Sequence, residues 1–252
     1  MFIRALNRDR CTASRLKYDL HSHLIPGLDD GVQDLDEALS SIQGLIDLGY
    51  KGMVTTPHIY PEVFNNTEED LRSGFKNLCD LSSQRFPDFR LVLGAEYYLD
   101  DYLVKKVRED PLKLLTFGNK RQLILVELPF LNTPVNIEEL LFACRLRNIQ
   151  PVIAHIERYD YIQKDRGFGL LKTWMEHGAL LQLNLGSVIG QYGPAAEETG
   201  NAILKQGFYH FIGTDLHRPS QLERFFPRAW RYLEKTLANF NEEMHHHQLI
   251  SG

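Results

Sequence analysis

At 252 residues, 43% hydrophobic, 24% charged and 11% aromatic, the chain has the size and balance of one soluble globular enzyme domain or one barrel. Its 28 Lys and Arg against 33 Asp and Glu leave a net charge of -5, which argues against a broad nucleic-acid surface and suits a protein that holds cations. No apolar run reaches the roughly 18 residues of a membrane span, and Cys11, Cys79 and Cys144 are too few and too widely spaced for a disulfide framework or a thiolate metal knuckle.

Residues 1–17 carry Arg4, Arg8, Arg10, Arg15 and Lys17 against Asp9, a charge of +4 that leaves -9 on residues 18–252. This stretch lacks the continuous apolar segment of a secretory signal and is expected to be a basic extension outside the fold of a cytoplasmic protein; an Arg-rich transit segment would look similar. From Tyr18 onward, seven short β-rich runs alternate with helical patterns: Tyr18–His21, Met53–Thr56, Leu91–Ala95, Leu123–Leu128, Pro151–His155, Leu180–Leu185 and Tyr209–Thr214. Such alternation predicts parallel strands joined by helices. The first helix places Leu35, Ala38, Leu39, Ile42, Leu45 and Ile46 on one face and stops at Gly49. Another starts near Asn136, where Asn136 and Glu139 have capping-box spacing ahead of Ile137, Leu140, Leu141 and Cys144. No repeat or linker divides residues 18–238, which are expected to form one domain. Residues 239–252 form an expected flexible tail, whose His245, His246 and His247 are nonspecific metal binders and stand outside the site.

The strand ends carry the chemistry: His21 and His23, His58, Glu96, Glu127, His155, Asn184, then Asp215 and His217. In a (βα) barrel these ends meet on one face, whereas an open doubly wound sheet would string them along an edge, so the pattern favours a distorted α/β barrel of seven strands. His21 and His23 are two apart and in extended backbone reach the same cation; Asp215 and His217 repeat the spacing. A single strand-end histidine is usually just a hydrogen-bonded imidazole, but five at equivalent positions beside carboxylates point to metal. His177, at a helix end, and His210, in an apolar run, are given no chemical role. Glu96 and Glu127 end apolar runs and need a partner, either a basic side chain or a metal. Asp30, in the turn Gly27–Gly31, is either a ligand or an ordinary Asp-Gly turn residue.

His21, His23, Asp30, His58, Glu96, Glu127, His155, Asp215 and His217 make nine ligand candidates, enough for two or three ions where one catalytic zinc takes about three protein ligands. Imidazoles and carboxylates without thiolate suit Mn, Fe or Zn. Clustered cations polarise a phosphoryl oxygen and supply hydroxide near neutral pH, which points to phosphate ester hydrolysis. Arg158, three residues after His155, either grips a phosphate oxygen or makes a surface ion pair.

The stretches Tyr18–Gly31 (YDLHSHLIPGLDDG), Thr55–Tyr60 (TTPHIY), Gly94–Tyr98 (GAEYY), Val126–Pro129 (VELP), Ala154–Tyr159 (AHIERY) and Gly213–Arg218 (GTDLHR) together resemble the PHP (polymerase and histidinol phosphatase) superfamily. Within it the chain looks like the bacterial manganese-dependent tyrosine-protein phosphatases of capsule and exopolysaccharide systems. The resemblance implies a distorted (βα)7 barrel with a trinuclear site: His21, His23, Glu96 and Asp215 around one metal; Glu96, Glu127 and His155 around a second; Asp30, His58 and His217 around a third. It implies Mn2+, with Fe or Zn possible in its place, and direct attack of a metal-held hydroxide on phosphotyrosine without a phosphoenzyme. The implied partner is an autophosphorylated bacterial tyrosine kinase with a tyrosine-rich tail. Arg158, His58 and His217 are the expected catalytic residues, and Arg158, Arg218 and Tyr60 the expected substrate contacts. The 17 residues before Tyr18 depart from the family pattern, as does Arg218, which follows His217 directly where some members have a further Arg several residues on.

Cys79 to Arg85 satisfies the C-x5-R spacing of cysteine-dependent tyrosine phosphatases, but it has no glycine, carries Asp80 beside the thiol and continues a helical pattern. The main enzymatic rival is a small-metabolite phosphomonoesterase of the histidinol phosphate kind, since metal ligands do not set substrate choice. A catalytically silent PHP scaffold is the rival from another class. Tyr60, Tyr97, Tyr98, Tyr159 and Tyr161 form either an aromatic mouth for a phosphotyrosyl ring or ordinary loop packing.

Overall fold

Each of the seven β-rich runs forms a strand in the computed structural model, which describes residues 18–119 and 121–237; the extension expected at 1–17 and the tail expected at 239–252 lie outside the described residues. The strands are β1 (Tyr18–Asp19), β2 (Gly52–Thr55), β3 (His58–Ile59), β4 (Arg90–Leu93), β5 (Glu96–Tyr98), β6 (Gln122–Glu127), β7 (Ile149–Ile153), β8 (Leu180–Asn184) and β9 (Phe211–Gly213). All pair in parallel, in the orders β1-β2-β4 and β3-β5-β6-β7-β8-β9. The additional strands β3 and β5 continue β2 and β4 after short breaks. Pro57, which offers no N–H to a ladder, ends the first half of one run, and Gly94-Ala95 interrupts the other.

The sheet curls into a distorted barrel and closes where the first and last strands meet. Ser22 bridges Leu216, His23 N donates to Leu216 O at 2.8 Å, and Asp215 N donates to His21 O at 2.9 Å. Gly213 permits the approach, since a Cβ there would lie 2.8 Å from His21 Cβ. Beside this bridge the buried Asp19 carboxylate accepts from Thr214 N at 2.9 Å and from Thr214 Oγ1 at 2.6 Å. Burial pushes the Asp19 carboxyl up to about 6 against the pull of those two donors. Thr214→Val removes one donor from an enclosed carboxylate and is expected to cost about 1.5–3 kcal/mol. Urea unfolding of the metal-free protein measures it, and a loss within error would mean that this clamp does not secure the closure.

On β6, Leu123, Leu125 and Glu127 share one face, and Ile124 and Val126 the other, as strand alternation requires. Leu123 and Leu125 pack with Leu20, Val54, Val152, Ala154 and Phe211 in a small apolar cluster on the face that carries Glu127. Ile124 and Val126 join the larger core between strands and helices. Helix α1 (Leu35–Leu48) starts at Asp34, whose side chain accepts from Glu37 N, and ends at Gly49 with φ 100°, a left-handed turn that glycine adopts without strain. After it come α2 (Glu68–Arg85), α3 (Asp101–Glu109), α4 (Ile137–Leu146), α5 (Asp160–Lys164), α6 (Gly169–Glu176), α7 (Pro194–Lys205), α8 (Pro219–Arg224) and α9 (Phe226–Leu237). Asn136 is the N-cap of α4 as expected, but the capping box does not form. Its backbone (φ -98°, ψ 7°) departs from the extended geometry a capping side chain needs, and Glu139 accepts from Arg108 instead. Among the described residues no helix is long and apolar enough to cross a membrane.

Candidate metal centre

Strand ends deliver the ligand candidates to one place. His21 and His23 follow β1, His58 opens β3, Glu96 opens β5, Glu127 ends β6, His155 follows β7, and Asp215 and His217 follow β9, while Asp30 comes from the loop before α1. All nine fall in groups whose ligating atoms lie within 4.8 Å of one another: His23, Asp30, His58 and His217; His21, His23 and Glu96; His21, His155 and Asp215; Glu96, Glu127 and His155. Glu96 is the hub. Its Oε2 lies 3.0 Å from His21 Nε2, 3.4 Å from His23 Nε2 and 3.4 Å from His58 Nδ1, and its Oε1 lies 3.1 Å from His155 Nε2. Asp30 Oδ1 stands 3.3 Å from His217 Nε2 and 3.7 Å from His58 Nε2, and is the exposed member at 58%.

These residues fit divalent cations. His21 Nε2 and His23 Nε2 face each other at 3.2 Å with carboxylate oxygens of Glu96 and Asp215 around them. The far nitrogens are committed elsewhere: His21 Nδ1 donates to Gln182 Oε1 at 3.0 Å and His217 Nδ1 to the Asp215 carbonyl at 2.9 Å, which frees each Nε2 lone pair. His155 (φ 27°) and Asp215 (φ 53°) adopt left-handed backbone, a strain that non-glycine residues carry chiefly at functional sites.

The electrostatics describe a cluster of negative charge balanced by imidazoles. Burial alone would lower His21, but Glu96 and Asp215 outweigh it and hold it up at about 9. Burial works against Glu96 and Asp215 as ions, yet the histidines beside them, His21 foremost, hold both carboxyls well below the usual range. Glu127 is pushed up to about 8 by burial and then by Glu96, and His155 is pulled down to about 4 by burial and then by Arg158.

The cluster floors a cleft of about 460 Å3 whose walls include Tyr60, Phe64, Phe130, Arg158, Tyr192 and Gln221. Arg158 ends a 3-10 turn (Ile156–Arg158) directly after His155; its Nη1 donates to Asp215 Oδ2 at 3.1 Å, and its guanidinium lies 4.3 Å from the Tyr192 ring centre and 5.1 Å from that of Phe130. Of the expected aromatic mouth, Tyr60 stacks on Tyr98 with ring centres 3.9 Å apart, and Tyr60 lines the cleft. Tyr97 and Tyr159 are buried and pack the core, their hydroxyl oxygens accepting from Leu115 N and Leu128 N, while Tyr161 stacks on Tyr159. Arg218 is not brought to the cleft wall: its guanidinium donates to the carbonyls of Gly31 and His217. A second cavity, of about 380 Å3, opens where β7 begins, is walled by Arg121, Gln150 and His177 among others, and holds none of the nine candidates. Cys79 and Arg85 both lie inside α2, so the C-x5-R stretch forms no phosphate loop, and burial and Asp80 push the thiol up.

Sequence reasoning passed over several groups around the site. Asp29 was overlooked beside Asp30, yet its side chain is fully enclosed against His23. Gln182 holds His21, and Asn184, noted at its strand end but given no role there, donates from Nδ2 to Asp215 Oδ2 at 2.7 Å. Their spacing of two along β8, polar residues sharing one face of a buried strand, is the signal that marks them. Glu157, fully buried, accepts from Ser187 Oγ, Asn184 N and Tyr209 Oη and anchors the turn that carries Arg158.

A profile of the family described as "Capsular polysaccharide synthesis, CpsB/CapC" matches residues 17–249. Tyrosine-protein phosphatase CpsB of Streptococcus agalactiae serotype V is 25% identical over 222 residues, covering 85% of this chain and 88% of its own. Tyrosine-protein phosphatase YwqE of Bacillus subtilis is 26% identical over 217 residues, covering 86% and 84%. Among solved structures, one described as YwqE from Bacillus subtilis and CpsB from Streptococcus pneumoniae, unique metal-dependent tyrosine phosphatases, superposes with a TM-score of 0.77 at 24% identity over 90% of this chain and 89% of that one. Histidinol phosphate phosphatase from Lactococcus lactis, complexed with Zn, L-histidinol and phosphate, shares the fold at a TM-score of 0.59 and 16% identity, over 93% and 99%. The family match runs across every strand that delivers a ligand candidate, and this chain belongs to the CpsB/CapC family of capsular polysaccharide synthesis.

Proposed function

We propose that the chain is a metal-dependent protein-tyrosine phosphatase of capsule or exopolysaccharide synthesis. The observation that carries this reading is the clustering of nine imidazole and carboxylate donors, seven of which line one cleft with Arg158, in a chain whose relatives CpsB and YwqE are named tyrosine-protein phosphatases. His21, His23, Glu96 and Asp215, then Glu127 and His155, then Asp30, His58 and His217, are the proposed ligands of two or three cations, Mn2+ by preference with Fe or Zn as substitutes. Bound cations supply a Lewis acid for phosphoryl oxygens and acidify water to near-neutral pKa.

The chain's own groups do the rest. Arg158, oriented by Asp215 and by the rings of Tyr192 and Phe130, offers its fork to the phosphate. Tyr60, backed by Tyr98, gives a flat face for the phosphotyrosyl ring. His58 and His217 reach the cleft with Asp30 and steady the charge there. A tyrosyl leaving group, with a pKa near 10, needs little protonation. Among the described residues no cysteine lines the cleft, and the proposed hydrolysis uses no cysteinyl phosphoenzyme. Residues 18–238 are the proposed phosphatase domain. The proposed substrate is the phosphorylated tyrosine-rich tail of a bacterial kinase in the cytoplasm.

The test is phosphate release by the Mn2+-loaded protein from a phosphotyrosyl peptide and from histidinol phosphate, with a chelator control. Faster turnover of the peptide, stopped by chelation, is the expected result. Preference for histidinol phosphate would leave the metals and remove the tyrosine phosphatase reading, and no hydrolysis of either after loading would favour a scaffold.

A further inference from the structure

We propose that Asp29, which is not among the nine ligand candidates, is a positioning residue that holds two neighbouring cation-binding groups in register through His23 and the backbone of His58. The proposal rests on the metal-dependent reading of the site. Asp29 Oδ2 accepts from His23 Nδ1 at 2.7 Å and from His58 N at 3.0 Å, and Oδ1 accepts from Gly31 N at 2.9 Å. One enclosed carboxylate thus ties the end of β1, the loop carrying Asp30 and the start of β3.

With Nδ1 committed to Asp29, His23 turns Nε2 toward His21 Nε2 at 3.2 Å, Glu96 Oε2 at 3.4 Å and Asp215 Oδ1 at 3.5 Å. His23 is also the member shared between the group of His21 and Glu96 and the group of Asp30, His58 and His217. A carboxylate behind a ligating imidazole fixes its tautomer, locks the ring and raises its basicity. His21 is backed by the neutral amide of Gln182, and His217 by a backbone carbonyl. Among the described residues, His23 is the candidate imidazole backed by a carboxylate outside the candidate set. A plain loop residue would explain the bond to Gly31 N, but not the two bonds that reach past the loop to His23 and His58.

The experiment compares Asp29→Asn and Asp29→Ala with the wild-type full-length chain. Mn2+ is titrated and followed by electron paramagnetic resonance, and unfolding midpoints of the metal-free proteins record any structural cost. Asp29→Ala is expected to weaken Mn2+ binding by about 10–100-fold. Asp29→Asn keeps an acceptor without its charge and should fall between. In Zn2+-loaded protein the His23 Nδ1–H resonance, seen by imidazole 15N spectroscopy in the wild type, is expected to disappear in Asp29→Ala. If Asp29→Ala does not fold, Asp29→Asn carries the test. Unchanged Mn2+ affinity and number in the folded variants, even with lowered stability, would overturn the proposal alone. A wild-type chain that binds no Mn2+ would overturn the metal reading and this proposal with it.

Discussion

Glu96→Gln is expected to remove phosphatase activity almost completely, by at least about a thousandfold in kcat/KM, and to reduce the number of cations held per chain. Both oxygens of Glu96 are in use, one toward His21, His23 and His58 and the other toward His155. Glutamine keeps the shape but cancels the charge and turns an amide donor toward one set of ring nitrogens. Because two of the close donor groups contain Glu96, the substitution strikes both together. Steady-state kinetics at saturating Mn2+, with metal analysis of the purified variant, measures the effect. A variant with full cation content and a rate within about tenfold of wild type would remove Glu96 from the centre of the site.

Arg158→Lys should lower kcat/KM by about 10²–10³-fold while leaving cation content unchanged. Lysine keeps the charge but not the planar, five-donor fork that stands 4.3 Å from the Tyr192 ring centre and 5.1 Å from that of Phe130. Asp215 would also lose the partner on its Oδ2, although Asn184 still donates there. The contrast with Glu96→Gln is diagnostic: one variant loses metal, the other loses only its hold on phosphate. Turnover of a phosphotyrosyl peptide and of p-nitrophenyl phosphate separates the phosphate contribution from that of the peptide, and a change in both smaller than about tenfold would return Arg158 to a structural role.

Strands and ligand candidates were legible in the sequence because they depend on local rules. Short β-rich runs announce themselves, and a polar residue at the end of an apolar run stands out. The breaks that split off β3 and β5 were not legible, because a proline or glycine in such a run interrupts pairing only when a neighbouring strand is there to be interrupted. Gln182 is marked only by its spacing of two from Asn184, since its partner His21 lies 161 residues away, and Asp29 reads as an ordinary turn residue until the fold brings His58 N, 29 residues on, to its carboxylate. Tyr97 could have been read better. If Glu96 faces the metals, strand alternation turns its neighbour Tyr97 toward the core and returns Tyr98 to the cleft side, as the structure has it. Arg218 shows the limit of motif transfer, since adjacency to His217 says nothing about which carbonyls its guanidinium will find.

The closure of the barrel between its two ends also fixes when the protein becomes an enzyme. Asp19 and Thr214 are 195 residues apart, and His21 meets Asp215 across nearly the same span. Contacts of such long range are slow to form, because the loop entropy is lost before the contact compensates for it. On a ribosome adding roughly 5–20 residues per second, about 10–40 s separate the synthesis of His21 from that of Asp215. During that interval the first strand waits without its closing partner, and its two imidazoles are open to whatever cation or chaperone the nascent chain meets. A stalled or clipped chain that lacks β9 and the residues just after it keeps seven of the nine ligand candidates but neither Asp215, His217 nor the barrel closure, so hydrolysis requires that synthesis has passed this point.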